Sequence, residues 1–214
     1  MTMRVAELWR YPVKSLRGEQ LAQAELLADG ILGDRLVHVR APEGRTIPSR
    51  TKPGLLGLAG TLGADGVPLI ENRPWNHPLS IAAVEAAAGA GATLVLADGP
   101  ERFDVLPLSI LTDGAVDALG VDRRRLRPNI LVGGVDGLAE RDWPGRQLRI
   151  GSALVAVVKL RPRCVMTTFD PDTLAQDHGV LRRIITDFEG AIALDAFVVE
   201  PGTVDVGDPV HVLE

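Results

Sequence analysis

The stretch Gln147-Leu148-Arg149-Ile150-Gly151-Ser152-Ala153-Leu154-Val155-Ala156-Val157-Val158-Lys159-Leu160 decides the fold class. Two strand-like runs, Gln147 to Ile150 and Ala153 to Leu160, flank Gly151-Ser152, a two-residue connection of the kind that closes a β-hairpin. Working outward, Ile130 to Val132 reads as a strand upstream, and Ile192 to Glu200 and Pro209 to Leu213 read as closing strands downstream. A helix is expected over Val180 to Phe188. Nearer the start, Met3 to Val13 reads as a strand that ends near Pro12, and Gln20 to Leu27 and Arg35 to Arg40 complete what looks like a β-meander.

Between these runs the pattern changes. Ala41 to Asn76 is rich in Gly and Pro and is expected to form loops and short strands. Ser80 is placed to cap a helix running to Ala88, with Gly89 and Gly91 ending it. Thr93 to Ala97 reads as a short buried strand, and Leu108 to Leu119 as a second helix stopped by Gly120. The 214 residues are 46% hydrophobic but only 4% aromatic, with Gly 23 and Pro 15. That mixture suits many short strands joined by tight turns, and the expected class is a mainly β, β-rich α+β fold with a few helices.

Charge and cysteine usage narrow the function classes. A net charge of −5 argues against nonspecific nucleic-acid binding. Yet Val121 to Arg163 holds ten Lys or Arg against four Asp or Glu, so an anionic ligand would favour that region. No apolar run approaches the roughly 20 residues a membrane span needs. One cysteine cannot form an internal disulfide, nothing at the start reads as a secretory signal, and a cytoplasmic location is expected. The four histidines, His38, His77, His178 and His211, are too far apart for zinc-ligand spacing.

Two segments stand out chemically. In Lys159-Leu160-Arg161-Pro162-Arg163-Cys164 the only thiol follows two arginines. Nearby cations favour the thiolate, the form that ligates a soft or high-valent metal or attacks an electrophile. A lone cysteine is, however, more often a small buried hydrophobe than a ligand. In Arg123-Arg124-Arg125-Leu126-Arg127-Pro128-Asn129 the guanidinium groups suit a phosphate, and Asn129 suits a heterocycle. Arg123 to Arg125 also fit a solvated loop, whereas Arg127 and Asn129, directly before apolar Ile130, are expected to be held in fixed geometry. The residues alone indicate an anion site with a thiol.

Several strings fall in one familiar order: Tyr11-Pro12-Val13-Lys14-Ser15 with Gly18, Gly33-Asp34-Arg35, Arg127-Pro128-Asn129-Ile130, and Ala139-Glu140-Arg141-Asp142-Trp143-Pro144-Gly145. They continue with Arg163-Cys164, Thr167-Thr168, Asp170-Pro171-Asp172-Thr173 and Pro201 to Val210. Together they resemble the amidoxime-reducing members of the MOSC (molybdenum cofactor sulfurase C-terminal) family. The resemblance implies an N-terminal β-barrel-like part, residues 1–80, packed on a MOSC β-barrel domain, residues 81–214. It also implies a molybdenum–molybdopterin cofactor with Cys164 as the metal's thiolate ligand. Lys14, Ser15, Arg35 and Arg127 would contact the pterin or its phosphate, Asn129 and Arg163 would line the same pocket, and Thr112 matches another cofactor-contacting stretch loosely. Asp170 or Asp172 is a candidate proton relay, although the Asp-Pro-Asp-Thr string more often just makes a turn.

The activity so implied is reduction of N-hydroxylated small molecules, with electrons from a separate ferredoxin- or flavoprotein-type donor and no nucleic acid or membrane partner. One cysteine cannot hold an iron–sulfur cluster within the chain. Two rivals stay open: a non-enzymatic carrier of the cofactor or of sulfur on Cys164, and a metal-free cysteine-nucleophile transferase. Departures from the family pattern, including Leu36 after Gly-Asp-Arg, Leu126, and Leu174-Ala175 after Asp-Pro-Asp-Thr, bear on substrate and donor more than on the cofactor.

Overall fold

The computed structural model describes residues 2–97, 99 and 102–213. The first half contains β1 (Arg4–Arg10), β2 (Glu19–Leu21), β3 (Gln23–Leu27), β4 (Gly30–Ile31), β5 (Val37–Arg40), β6 (Gly60–Leu62), β7 (Pro68–Ile70), β8 (Arg73–Pro74), α1 (Pro78–Ala88) and β9 (Thr93–Leu96). The second contains β10 (Leu108–Thr112), α2 (Asp113–Leu119), β11 (Ile130–Gly133), β12 (Gln147–Ile150), β13 (Ala153–Pro162), α3 (His178–Asp187), β14 (Ala191–Glu200), β15 (Gly202–Asp205) and β16 (Val210–Leu213). The mainly β class is confirmed.

An eight-stranded mixed sheet in the order β16-β12-β13-β14-β10-β11-β1-β2 organises the molecule. The expected hairpin is its β12–β13 pair, with Ile150 opposite Ala153 and the connecting Gly151 in the left-handed region at φ +54°. The two halves exchange strands. β1 and β2 belong to the large sheet through the antiparallel β1–β11 pair, Leu8 opposite Ile130, whereas β15 leaves it to pair with β3, Val204 opposite Ala24.

Apolar burial follows the same exchange. One cluster, including Leu8, Leu26, Ile110, Ile130, Leu148, Leu194 and Val204, lies against the large sheet and joins both halves. A second, around Leu119, Leu126, Val180 and Ile184, seats α2 and α3. A third, around Val13, Val37, Leu55, Ile70 and Val84, belongs to the first half. Helix α3 shows why the sequence signal was clear there: the Asp177 carboxylate accepts from Gly179 N at 2.8 Å, and Val180 and Ile184 bury one face.

Four local expectations are corrected. The reading of Leu108 to Leu119 as one helix fails at its first half, because Leu108–Thr112 is a fully buried central strand parallel to β11. A short apolar run buried on both faces has no periodicity that separates strand from helix. Gln20 to Leu27 is not one strand of a meander; it breaks at Ala22, β2 staying on β1 while β3 takes the distant β15. Helix α1 starts two residues before Ser80, capped by His77, whose Nδ1 accepts from Leu79 N at 3.2 Å, and Ser80 is buried inside it. Finally, β9 is half of a two-stranded ribbon with β5, and its Leu96 is exposed.

Gly18 shows how closely the turn after β1 is packed: a Cβ built there would lie 2.4 Å from both the Arg10 carbonyl oxygen and Tyr11 Cδ1. Gly18→Ala is therefore expected to lose about 1–3 kcal/mol of stability through overpacking. Urea unfolding of the two proteins measures the difference, and an unchanged midpoint would show that the turn yields freely.

Candidate functional site

The site grows from the end of β1. Trp9 N donates to Asn129 O at 2.8 Å, the last rung before both chains leave the ladder, so Tyr11–Ser15 and Arg127–Asn129 emerge side by side. Tyr11–Lys14 then runs against Arg35–Val37: Arg35 N donates to Tyr11 O at 2.8 Å and Lys14 N to Val37 O at 2.8 Å. Buried Asp34 ties the three segments together. Its Oδ1 accepts from Tyr11 N at 2.7 Å, and its Oδ2 accepts from Asn129 Nδ2 at 3.2 Å and pairs with Arg35.

The fourth segment arrives from β13. Arg163 donates to Leu126 O at 2.7 Å, which fastens the strand exit to the turn before Arg127. A clamp lies beside it: Arg125 donates to Thr168 O at 2.8 Å and pairs with Asp170 at 3.0 Å. Cys164 stands between these two ties at the head of the short Val165–Thr168 turn, and it is exposed rather than buried. That removes the reading of the cysteine as a core hydrophobe.

These segments enclose a cavity of about 340 Å³, within the usual range for small-molecule sites. Lys14, Ser15, Arg35, Arg127, Arg163 and Cys164, six of the residues singled out in the sequence, line it together. The structure adds Arg50, Arg161, Phe103 and Asp104 to the wall. Ser15 brings the Arg50 loop in by accepting from Ser49 N at 3.1 Å. The Lys14 ammonium lies 2.9 Å from Asp104. Burial works against the Asp104 charge, but Lys14 outweighs it and holds the carboxyl below its ordinary value.

The cations are held under constraint. Arg127 lies over the Tyr11 ring at 4.2 Å and Arg35 over the same ring at 5.2 Å. Burial takes the Arg127 guanidinium down to about 10; burial and then the neighbouring Arg161 take Arg163 down to about 9. Burial likewise pushes the Tyr11 phenol up to about 12, and its hydroxyl donates to Pro128 O at 3.0 Å. Ser15, Arg35 and Arg127 all adopt positive φ, +76°, +55° and +48°, a conformation non-glycine residues rarely take outside sites that need it. Among the described residues the buried Arg163 Nε has no partner, and Arg127 makes no side-chain hydrogen bond or ion pair. Such donors suit an anionic guest, and Cys164 adds one soft ligand in the same space.

Three expected site residues do not line this cavity. Asn129 is buried behind it, its Oδ1 accepting from Ser109 N at 3.1 Å while its amide reaches Asp34, so it acts on the wall from outside. Thr112 is the buried N-cap of α2, accepting from Ala115 N and donating to Glu140, both at 3.1 Å. Asp170 is a turn carboxylate held below its ordinary value by the Thr173 and Asp172 N–H groups, with Arg125 on its other oxygen. Among the described residues no group of three His, Cys, Asp or Glu gathers as a metal site, and no helix is long and apolar enough to cross a membrane.

A β-rich fold whose two halves share strands around a cation-lined cavity with one thiol defines a known class. Residues 2–99 match the MOSC N-terminal beta barrel domain and residues 111–211 match the MOSC domain. The chain belongs to the MOSC family. It is 27% identical to the Mitochondrial amidoxime-reducing component 1 of Homo sapiens over 98% of this chain and 82% of that protein. It is 28% identical to the Mitochondrial amidoxime reducing component 2 of Homo sapiens over 79% of this chain and 67% of that one. Among solved structures, the YUAD protein of Bacillus subtilis shares the fold, with a TM-score of 0.51 at 16% identity over 99% of this chain and 96% of that one.

Two outcomes test the wall. Asp34→Ala would strand Arg35 and remove the acceptor of Tyr11 N, and is expected to cost about 3–5 kcal/mol in urea unfolding; a loss under about 1 kcal/mol would show that Asp34 is not the tie. His38 is 1% exposed, and burial, then Lys14, takes it down to about 4. The unfolded chain then binds a proton that the folded one refuses. Stability should be full above about pH 6.5 and fall by up to roughly 1.4 kcal/mol per pH unit towards pH 4. His38→Asn should flatten that slope; an equal slope in both proteins would exonerate His38.

Proposed function

We propose that this cavity holds a molybdenum–pterin cofactor and that the protein reduces N-hydroxylated small molecules with electrons from a separate redox protein. The observation that carries the reading is the presence, around one cavity, of a single free thiol and six cations against one lining carboxylate. The family's association with the molybdenum cofactor and the names of the relatives agree with it. When bound, the metal supplies two-electron removal of oxygen from nitrogen.

The chain's own residues divide the remaining work. Cys164 Sγ would be the protein's ligand to the metal. Arg127, free of acceptors among the described residues and propped on Tyr11, would take the cofactor's phosphate with Lys14 and Arg35, where a fork of N–H donors and a nearby ammonium give charge-assisted bonds. Ser15 keeps the Arg50 loop against this end. Asn129 and Asp34 fix the wall from behind, which favours a rigid site over one formed on binding. In the overall reaction the N–O bond breaks, the substrate takes up two electrons and two protons, and oxygen leaves as water. The protein orients and shields the reacting groups while the cofactor carries the chemistry.

Molybdenum and pterin content of protein made in cofactor-competent cells, wild type beside Cys164→Ala, is the direct test. The wild type is expected to hold near-stoichiometric metal and the variant almost none, with equal circular dichroism. Two equally empty proteins would sink the cofactor reading. Metal-loaded wild type that never turns over benzamidoxime with an artificial electron donor would instead favour a cofactor or sulfur carrier.

A further inference from the structure

Arg161 is a cation of the cavity wall to which the cofactor reading above gives no role. It lies on β13 three residues before Cys164, and its side chain is 16% exposed. Behind it, Asp195 on β14 is fully buried and makes a 2.5 Å contact from Oδ1 to the Arg161 Nε. That contact uses the one guanidinium nitrogen that faces back along the side chain. Neither Nη of Arg161 bonds to a described residue, so the outer edge of its fork remains for a guest.

The pair is also fixed in place. Asp195 stands opposite Lys159 on β13 and opposite Ser109 on β10, in the interior of the large sheet. Among the described residues its second oxygen has no partner, and nor does the neighbouring Ser109 Oγ. A carboxylate so enclosed is costly to hold unless its cation stays in contact, so it pins Arg161 rather than merely meeting it. Arginine held from behind by a carboxylate presents a planar pair of donors that matches another carboxylate or a phosphate. Charge favours the same guest: apart from Asp104, which lies with Lys14, every ionisable side chain of the wall other than Cys164 is cationic.

We propose that Arg161, positioned by Asp195, binds an anionic group of the substrate on the Cys164 side of the cavity, so that the preferred substrates are N-hydroxylated compounds carrying a carboxylate or phosphate. This rests on the reductase reading above and narrows its substrate class. Asp195 is a positioning residue; Arg161 is the group that touches the guest.

Calorimetric titration of the protein as isolated, without electron donor, compares benzamidoxime with 4-carboxybenzamidoxime, and the metal content of the same sample is measured alongside. The wild type is expected to bind the carboxylated compound on the order of tenfold tighter, the scale of one charge-assisted bond. Asp195→Asn should lower that preference several-fold. The double variant Arg161→Gln/Asp195→Asn, which leaves no stranded buried charge, should abolish it, and Arg161→Lys should restore only part. Equal affinity for both compounds in the wild type, or a preference that survives in the double variant, overturns the proposal. The metal content reports separately on the cofactor reading: loaded protein that is blind to the carboxylate refutes only the substrate class, whereas empty protein that still loses its preference in the double variant refutes only the cofactor.

Discussion

One rung of hydrogen bonding governs the rest of this molecule: Trp9 N to Asn129 O, at the end of the β1–β11 ladder. Because a strand slipped by one residue turns every side chain to the opposite face, the register Leu8 opposite Ile130 fixes two things at once. It buries Leu8 and Ile130 in the shared core, and it releases Tyr11 and Arg127 next to each other, close enough to stack. Asp34 then converts that adjacency into a rigid wall by binding Tyr11 N, Arg35 and Asn129 together. The cation site is thus a consequence of sheet register more than of any local motif.

Gathering like charges in a small space is unfavourable, and the structure shows how it is offset. Lys14, Arg35 and Arg161 each have a carboxylate, in Asp104, Asp34 and Asp195. Arg127 relies on the face of Tyr11, and Arg163 on one carbonyl oxygen. The lowered positions of these last two arginines, both caused first by burial, mark where an incoming anion would relieve most. Positive φ at Ser15, Arg35 and Arg127, three of the eight non-glycine residues that adopt it among those described, is a further cost of the order of 1–3 kcal/mol each on residues that line the cavity.

How much of this could be read from the sequence depended on distance along the chain. The β12–β13 hairpin, α3 and the closing strands were legible because their signals are local: a Gly-Ser connection, a 3.6-residue apolar repeat, alternation. β10 was misread because an apolar run of five residues looks alike as buried strand or helix, and β2 and β3 were merged because the partner of β3 lies about 180 residues further on. At the site, Lys14, Ser15, Arg35, Arg127, Arg163 and Cys164 stood in recognisable strings and share the cavity. Arg50, Phe103 and Asp104 sit in irregular loops with no periodic signal, so only the folded chain brings them in. Thr112, matched loosely by resemblance, and Asn129, suited to a heterocycle, are both buried, with their hydrogen bonds taken by Ala115 N and Glu140 and by Ser109 N, Trp9 O and Asp34.

The exchange of strands between the halves also bears on how the chain is made. Synthesis proceeds from the N-terminus towards the C-terminus, so β1 emerges well before β11, and β3 must wait for β15. During that interval Leu8 and Leu26 lack their second-half neighbours, such as Ile130 and Val204, and β3 presents an open edge to solvent. A nascent first half released early would therefore offer that edge to strand addition by other chains.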